Sequence, residues 1–275
     1  MRPKHVCLII LENTGYPLPA PAPFLESLIS KYAFAANYYS VTEPSLPNYL
    51  ALTGGSTFNV ADDNPPPANV QPAGVKSLGA LFDAKRKAWR AYIESMPAPC
   101  AQADAYPYAA KHNPWVFYSS ITGRSAYCAK HVVDFNALAA DIAGRSPLPN
   151  FAWITPNMED DGHDTSITFA DTWLNGFLAP LIRDPRIMAD TVFFIVADET
   201  HLPHSTDNTC PSQKGGQVFC VLVGRPEIVK EGYASKVAYN HYSVLATIEK
   251  IFRLGNLGRC DASAATMDDL FVDGP

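Results

Sequence analysis

Thr-Val-Phe-Phe-Ile-Val-Ala, residues 191–197, runs straight into Asp198 and Glu199, and this stretch decides the fold. It has strand length, is rich in Val, Ile and Phe, and shows no period-two alternation. A run of that kind suits a strand buried on both faces of a mainly parallel sheet. Four more runs share its character: His5–Leu11, Trp89–Ile93, Phe151–Thr155 and residues 217–223. Helical patterns lie between them, over 23–34, 46–52, 75–86, 135–143, 171–182 and His241–Phe252. Alternating strands and helices predict a doubly wound α/β fold: a three-layer α/β/α sandwich with a mostly parallel central sheet. No repeat and no linker composition divides the chain, so residues 1–275 read as one domain. Two segments break the rhythm. Residues 59–74 read as an excursion near the sheet top, and 97–125 as a cap or long loop; long loops in compact domains are often functional.

The totals narrow the function classes. Apolar residues make up 47% and charged residues 17%, enough for a sizeable core. A net charge of −6 argues against a general nucleic-acid binder and against a polybasic membrane surface. No stretch reaches the roughly 20 apolar residues of a transmembrane helix. The N-terminal apolar run is short and meets Glu12 without a small-residue cleavage site, so it does not read as a signal peptide. Of six cysteines, Cys7 and Cys220 lie in apolar runs and read as buried thiols. Cys100, Cys128, Cys210 and Cys260 lie in polar surroundings and allow two disulfides, Cys100–Cys128 being favoured. Disulfides point to a secreted or periplasmic protein, with a cytoplasmic one still open.

In open α/β sheets, ligands bind beyond the carboxyl ends of the strands. Glu12 and Asn13 follow the first run, residues 156–164 follow Phe151–Thr155, and Asp198 and Glu199 follow Thr191–Ala197. Acidic residues at three strand ends would repel one another unless a cation lies between them. Oxygen donors lean towards Ca²⁺, Mg²⁺ or Mn²⁺, and added histidines towards Zn²⁺. Ser45 precedes a short apolar helix with Pro47 in its first turn. There, free N–H groups and the positive dipole end favour an anion. That is a good place for a nucleophile attacking phosphate, although Ser is also a common N-cap. His112, His163 and His241 stand near these blocks and are able to bind phosphate, carry a proton or ligate metal. His201 and His204 are candidates for the rim of the site. His5 and His131 suggest no role.

Taken in order, the blocks are Leu-Glu-Asn (11–13), Pro-Ser-Leu-Pro-Asn-Tyr-Leu-Ala-Leu-Thr-Gly-Gly (44–55) and Lys-His-Asn-Pro (111–114). They continue with Ile-Thr-Pro-Asn (154–157), Gly-His-Asp (162–164), Asp-Glu (198–199) and His-Tyr-Ser-Val-Leu-Ala-Thr-Ile-Glu (241–249). The series resembles the phosphoesterase family of bacterial and fungal acid phosphatases and phospholipases C, a branch of the alkaline-phosphatase-like superfamily. The resemblance implies an alkaline-phosphatase-like sandwich and a bound divalent metal. Glu12, Asn13, Asp198 and Glu199 would match its metal-binding and phosphate-contacting positions. Ser45 would match a nucleophile that also touches the metal, and His112, His163 and His241 the catalytic histidines around the phosphate. Lys111 and Asp164 fall on the substrate side, with Asp164 able to orient His163.

There are departures. Relatives with two zinc ions carry an Asp four residues before a His, where this chain has Glu159 before His163, with Asp161 and Asp164 competing for the role. Val-Ala-Asp-Glu at 196–199 stands where the family often has Trp-Asp-Glu. The sulfatase pattern of Cys or Ser, any residue, Pro, any residue, Arg fails because Tyr49 replaces the Arg. The expected reaction is metal-dependent hydrolysis of a small phosphate monoester through a phosphoseryl intermediate, with His112 or His163 protonating the leaving alcohol. The alternatives are a phosphodiesterase or phospholipase C acting on phospholipid headgroups, and a non-catalytic phosphate-ligand binding protein. A lipid substrate calls for an exposed apolar patch, for which residues 115–118 are the only hint.

Overall fold

The computed structural model describes residues 1–144, 148–200, 210 and 215–275. The strands are β1 (His5–Leu11), β2 (Ala33–Ala35), β3 (Tyr38–Tyr39), β4 (Trp89–Ile93), β5 (Val132–Asp134) and β6 (Phe151–Thr155). They continue with β7 (Thr191–Ala197), β8 (Gln217–Val218), β9 (Cys220–Val223), β10 (Ala234–Ser235) and β11 (Tyr239–Asn240). The helices are α1 (Pro23–Lys31), α2 (Ser45–Gly54), α3 (Leu78–Ala84), α4 (Ser119–Thr122) and α5 (Ser125–His131). After them come α6 (Ala137–Ala143), α7 (Ile167–Arg183), α8 (Pro185–Met188) and α9 (His241–Phe252).

Among the described residues, eight strands form the main sheet in the order β10-β2-β9-β7-β1-β6-β4-β5. The segment from β7 to β5 is parallel throughout, and β9 runs antiparallel to both β7 and β2. With helices flanking it, this is the expected mostly parallel three-layer sandwich. Val6 to Leu11 of β1 and all of β7 are buried, which is why both read as continuous apolar runs. The register pairs Leu11 with Ala197. Glu12 and Asp198 therefore leave the sheet side by side.

Four of the five expected strands have the expected ends. The fifth, residues 217–223, breaks at Phe219. Its first part, β8, joins a small sheet ordered β11-β3-β8, while β9 stays in the main sheet. The 23–34 helix stops at Lys31, and residues 33–35 become β2 instead. The 75–86 helix shrinks to α3, and the 171–182 helix begins earlier, at Ile167, where Ser166 accepts the Phe169 N–H as N-cap. Asp171 on α7 accepts the Leu25 and Phe24 N–H groups at 2.7 and 3.1 Å. It supplies the cap that Ala22, before α1, has no side chain to give.

The 97–125 segment is not a loose cap. It forms one-turn helices over Ala110–His112 and Pro114–Phe117, which pack against α2. Residues 115–118 are fully buried in the core, so they are no apolar surface patch. The 59–74 excursion is tied to it by hydrogen bonds from Gln71 N–H to the Phe117 carbonyl and from Ser119 N–H to the Gln71 carbonyl. All ten residues of α2 are buried, because α9 covers it as well. Disulfides join Cys100 to Cys128 and Cys210 to Cys260, and Cys7 and Cys220 are buried thiols. Cys128 lies on α5 rather than in a loop.

Candidate active site

Ser45 opens α2, and Pro44 is the N-cap. The Ser45 hydroxyl therefore does not cap the helix. It faces two carboxylates, Glu12 Oε2 at 3.1 Å and Glu199 Oε1 at 3.2 Å, and its one hydrogen is shared between them. Tyr49, one turn further along α2, donates a very short hydrogen bond to Glu12 Oε1. Asn48 holds the loop before the helix: its Oδ1 accepts the Val41 and Thr42 N–H groups, and its Nδ2 reaches Glu199 Oε2 at 3.4 Å. Tyr49, where a sulfatase would carry Arg, thus ties the helix that Ser45 opens to the end of β1.

His112 is buried between Glu12 and Asp161, with Nε2 at 3.3 Å from the first and Nδ1 at 3.0 Å from the second. Its ring stacks on Tyr49. Burial opposes the charge on His112, but attraction to Glu12 and contact with Asp161 hold it protonated up to about 10. Burial alone would raise Glu12, yet the charge of His112 beside it and the Tyr49 hydrogen bond bring it to about 2. Burial pushes Asp161 up to about 6 against the pull of His112.

Among the described residues, Asp198 and Glu199 have no such cation beside them. Burial, followed by repulsion from Glu12 and Glu199, raises Asp198 well above the usual carboxylate range. Burial and then Glu12 push Glu199 up to about 9. Asn13 sits in the left-handed region at φ 54°, and its N–H donates to Asp198 Oδ1 at 3.1 Å. Asp198 Oδ2 and Asn13 Oδ1 are buried and accept no hydrogen bond among the described residues. Orphaned oxygens beside repelling carboxylates fit a divalent cation, whose charge would stabilise all of them. A second donor set meets the first at Glu12: ligand atoms of Glu12, His112 and His163 lie within 4.8 Å of one another. In that set His112 would first have to lose its proton.

His241 opens α9 and is fully buried. Its Nε2 donates to the Asp198 carbonyl at 2.5 Å, and its Nδ1 accepts from the Tyr38 hydroxyl at 2.7 Å. Burial depresses it to about 4. Both nitrogens are engaged by protein partners, so His241 fixes the Asp198 backbone.

The other flank of the site comes from the one-turn helix Ala110–His112 and from the connections at Asp63 and after β6. Lys111 Nζ donates to His163 Nε2 at 2.9 Å and to Asp63 Oδ2 at 3.1 Å. His163 Nδ1 then donates to Asp164 Oδ1 at 2.7 Å, so Asp164 does orient that ring. Burial works against the charge of Lys111, but Asp63 and Glu12 raise its pKa. Asp63 Oδ1 also accepts the Leu46 N–H at 2.9 Å, next to Ser45. His201 and His204 lie outside the described residues.

Sequence reasoning missed Tyr49 and Asp63, and named Asp161 only as a competitor for a metal-ligand role. Tyr49 had a signal, since it lies four residues after Ser45 on one helix. Asp161 lay inside the acidic stretch already singled out. Asp63 carried no local mark, because only the fold of the 59–74 excursion brings it to α2.

The phosphoesterase family model matches residues 5–255. The chain belongs to the phosphoesterase family. An acid phosphatase of Aspergillus fumigatus is 36% identical over 268 residues, covering 94% of the chain and 57% of the relative. The chain spans about three fifths of the length of the fungal acid phosphatases that it matches. A phosphatidylinositol-3-phosphatase of Mycobacterium tuberculosis is 29% identical over 98% of the chain and 83% of its own length. In fold alone, the chain is similar to a phosphonate monoester hydrolase from Silicibacter pomeroyi. The TM-score is 0.61 at 11% identity, covering 98% of the chain and 77% of that structure.

Proposed function

We propose that this chain hydrolyses phosphate monoesters by attack of Ser45 on phosphorus. The observation that carries the reading is the Ser45 hydroxyl. It is freed from capping its own helix, turned into Glu12 and Glu199, and set beside the Leu46 N–H, which Asp63 accepts. The family membership supports the same chemistry.

A divalent ion among Glu12, Asn13, Asp198 and Glu199, in contact with Ser45, would supply Lewis-acid charge neutralisation and lower the pKa of the hydroxyl. Glu12 or Glu199 takes the Ser45 proton as Oγ bonds to phosphorus and the bond to the leaving oxygen breaks. The Leu46 N–H and the Lys111 ammonium hold equatorial oxygens. The leaving oxygen receives its proton from the Lys111–His163 pair, with Asp164 fixing the ring. His163 keeps about a quarter of its side chain in solvent, whereas His112 is sealed between two acids, so the Lys111 ammonium backed by His163 Nε2, rather than His112, is placed to give that proton. Water then releases inorganic phosphate from Ser45. His112 keeps Glu12 ionised, and His241 positions Asp198.

The phospholipase C reading has lost its sequence hint, since residues 115–118 are core. The test compares p-nitrophenyl phosphate with bis-p-nitrophenyl phosphate, after EDTA and after adding back Ca²⁺, Mg²⁺, Mn²⁺ or Zn²⁺. The expected result is metal-restored turnover of the monoester over the diester. Preference for the diester, or activity indifferent to EDTA, would sink the proposal. No turnover with any metal would leave a phosphate-binding protein.

A further inference from the structure

Asp63 occupies two donors that a phosphoryl group on Ser45 would need. Its Oδ1 takes the Leu46 N–H at 2.9 Å, and its Oδ2 takes the Lys111 ammonium at 3.1 Å. Leu46 N–H is the amide directly after the nucleophile, on a helix start whose N-cap, Pro44, gives no side-chain cap. Lys111 is the cation that also reaches His163. A carboxylate and a phosphoryl group make the same kind of charge-assisted contact with such donors, through paired oxygens.

We infer that Asp63 is a phosphate surrogate. It keeps the Leu46 N–H and Lys111 aligned while the site is empty, yields them to the substrate phosphoryl group, and reclaims them as inorganic phosphate leaves. This deepens the hydrolase reading and rests on it. The surroundings suit such an exchange. Asp63 and Lys111 keep 26% and 17% of their side chains in solvent, so trading partners there opens no core. An ion pair this exposed is modest in strength, and a dianion is able to displace it. The neighbouring Asp62 anchors the turn separately, accepting from Asn64 N–H at 3.0 Å and Asn69 Nδ2 at 2.6 Å. The loop therefore need not unfold for Asp63 to let go.

A purely structural Asp63 would be a borrowed cap for α2, and Asp63→Asn separates the two roles. The amide keeps an oxygen for the Leu46 N–H but loses the ionic hold on Lys111. In the metal-loaded full chain, Asp63→Asn should bind inorganic phosphate about five- to tenfold more tightly by calorimetry. KM for p-nitrophenyl phosphate should fall with it, and kcat should fall because product leaves more slowly. Asp62→Asn removes the same charge one residue away and should change phosphate affinity less than about twofold. A folded Asp63→Asn variant that binds phosphate no more tightly than the wild type would overturn the inference and leave the hydrolase reading standing. So would a phosphate-bound wild-type structure in which Asp63 still holds the Leu46 N–H, a test that needs no variant. A metal-loaded wild type that neither binds phosphate nor turns over any ester would overturn both.

Discussion

Glu12 and Asp198 stand fully buried at the tips of adjacent strands, whereas Lys111 and His163 come from connections and keep part of their side chains in water. The first flank is locked by the sheet register, by Tyr49 from α2 and by the ion-paired His112. The second is a chain of single contacts: Leu46 to Asp63, Asp63 to Lys111, Lys111 to His163, His163 to Asp164. The contrast teaches a division of labour. The strand-end flank concentrates negative charge that the fold alone does not neutralise, which suits a cation. The loop flank offers replaceable donors, which suits a substrate and a proton.

The largest effect should come from breaking the locked flank. Glu12→Gln removes the partner shared by Ser45, Tyr49 and His112. It should cut turnover of p-nitrophenyl phosphate by about a thousandfold or more. It should also cost about 3 kcal/mol in urea unfolding, because a protonated His112 stays buried with Asp161 alone. An unfolding free energy unchanged in that variant would mean that the flank is not locked as described. Lys111→Met tests the loop flank. It should lower kcat/KM by about ten- to a hundredfold while changing stability by less than about 1 kcal/mol, since its ion pair is partly exposed. A large stability loss there would erase the contrast.

The smallest effect sharpens the comparison from outside the site. Glu249 on α9 is a buried carboxyl beside Asp261, and its Oε1 has no hydrogen-bond partner among the described residues. Burial and then Asp261 push it up to about 9. The folded state therefore holds this proton at pH values where the unfolded chain, near an ordinary glutamate pKa, has lost it. The resulting cost is absent below about pH 4.5, grows as pH rises, and is complete above about 9. Glu249→Gln should remove that slope and gain roughly 1–3 kcal/mol at pH 8, and almost nothing at pH 4, in denaturant titrations. Equal gains at both pH values would show that Glu249 is not held protonated.

The same division explains what the sequence made readable. Strands buried on both faces announce themselves as apolar runs, and acids directly after them must gather at one sheet edge. Glu12, Asp198 and Glu199 were legible for that reason. Strands of two or three residues, such as β3, β10 and β11, are too short for any periodicity to register. Phe219 is as buried as its neighbours, so the change of sheet there leaves no mark in hydrophobicity. Trp115 to Tyr118, amid prolines and polar residues, looked like surface, but tertiary packing under α2 made them core. Asp63 reaches the site through a pairing of two excursions, which no local pattern encodes.

The proposed hydrolysis depends above all on Ser45 acting as the nucleophile rather than as a helix cap. The most direct measurement is turnover of p-nitrophenyl phosphate by metal-loaded Ser45→Ala, with its thermal unfolding recorded alongside. Because Ser45 caps nothing, the variant should unfold within a few degrees of the wild type, while activity falls by about a thousandfold or more. A folded Ser45→Ala protein that keeps most of its activity would contradict the account.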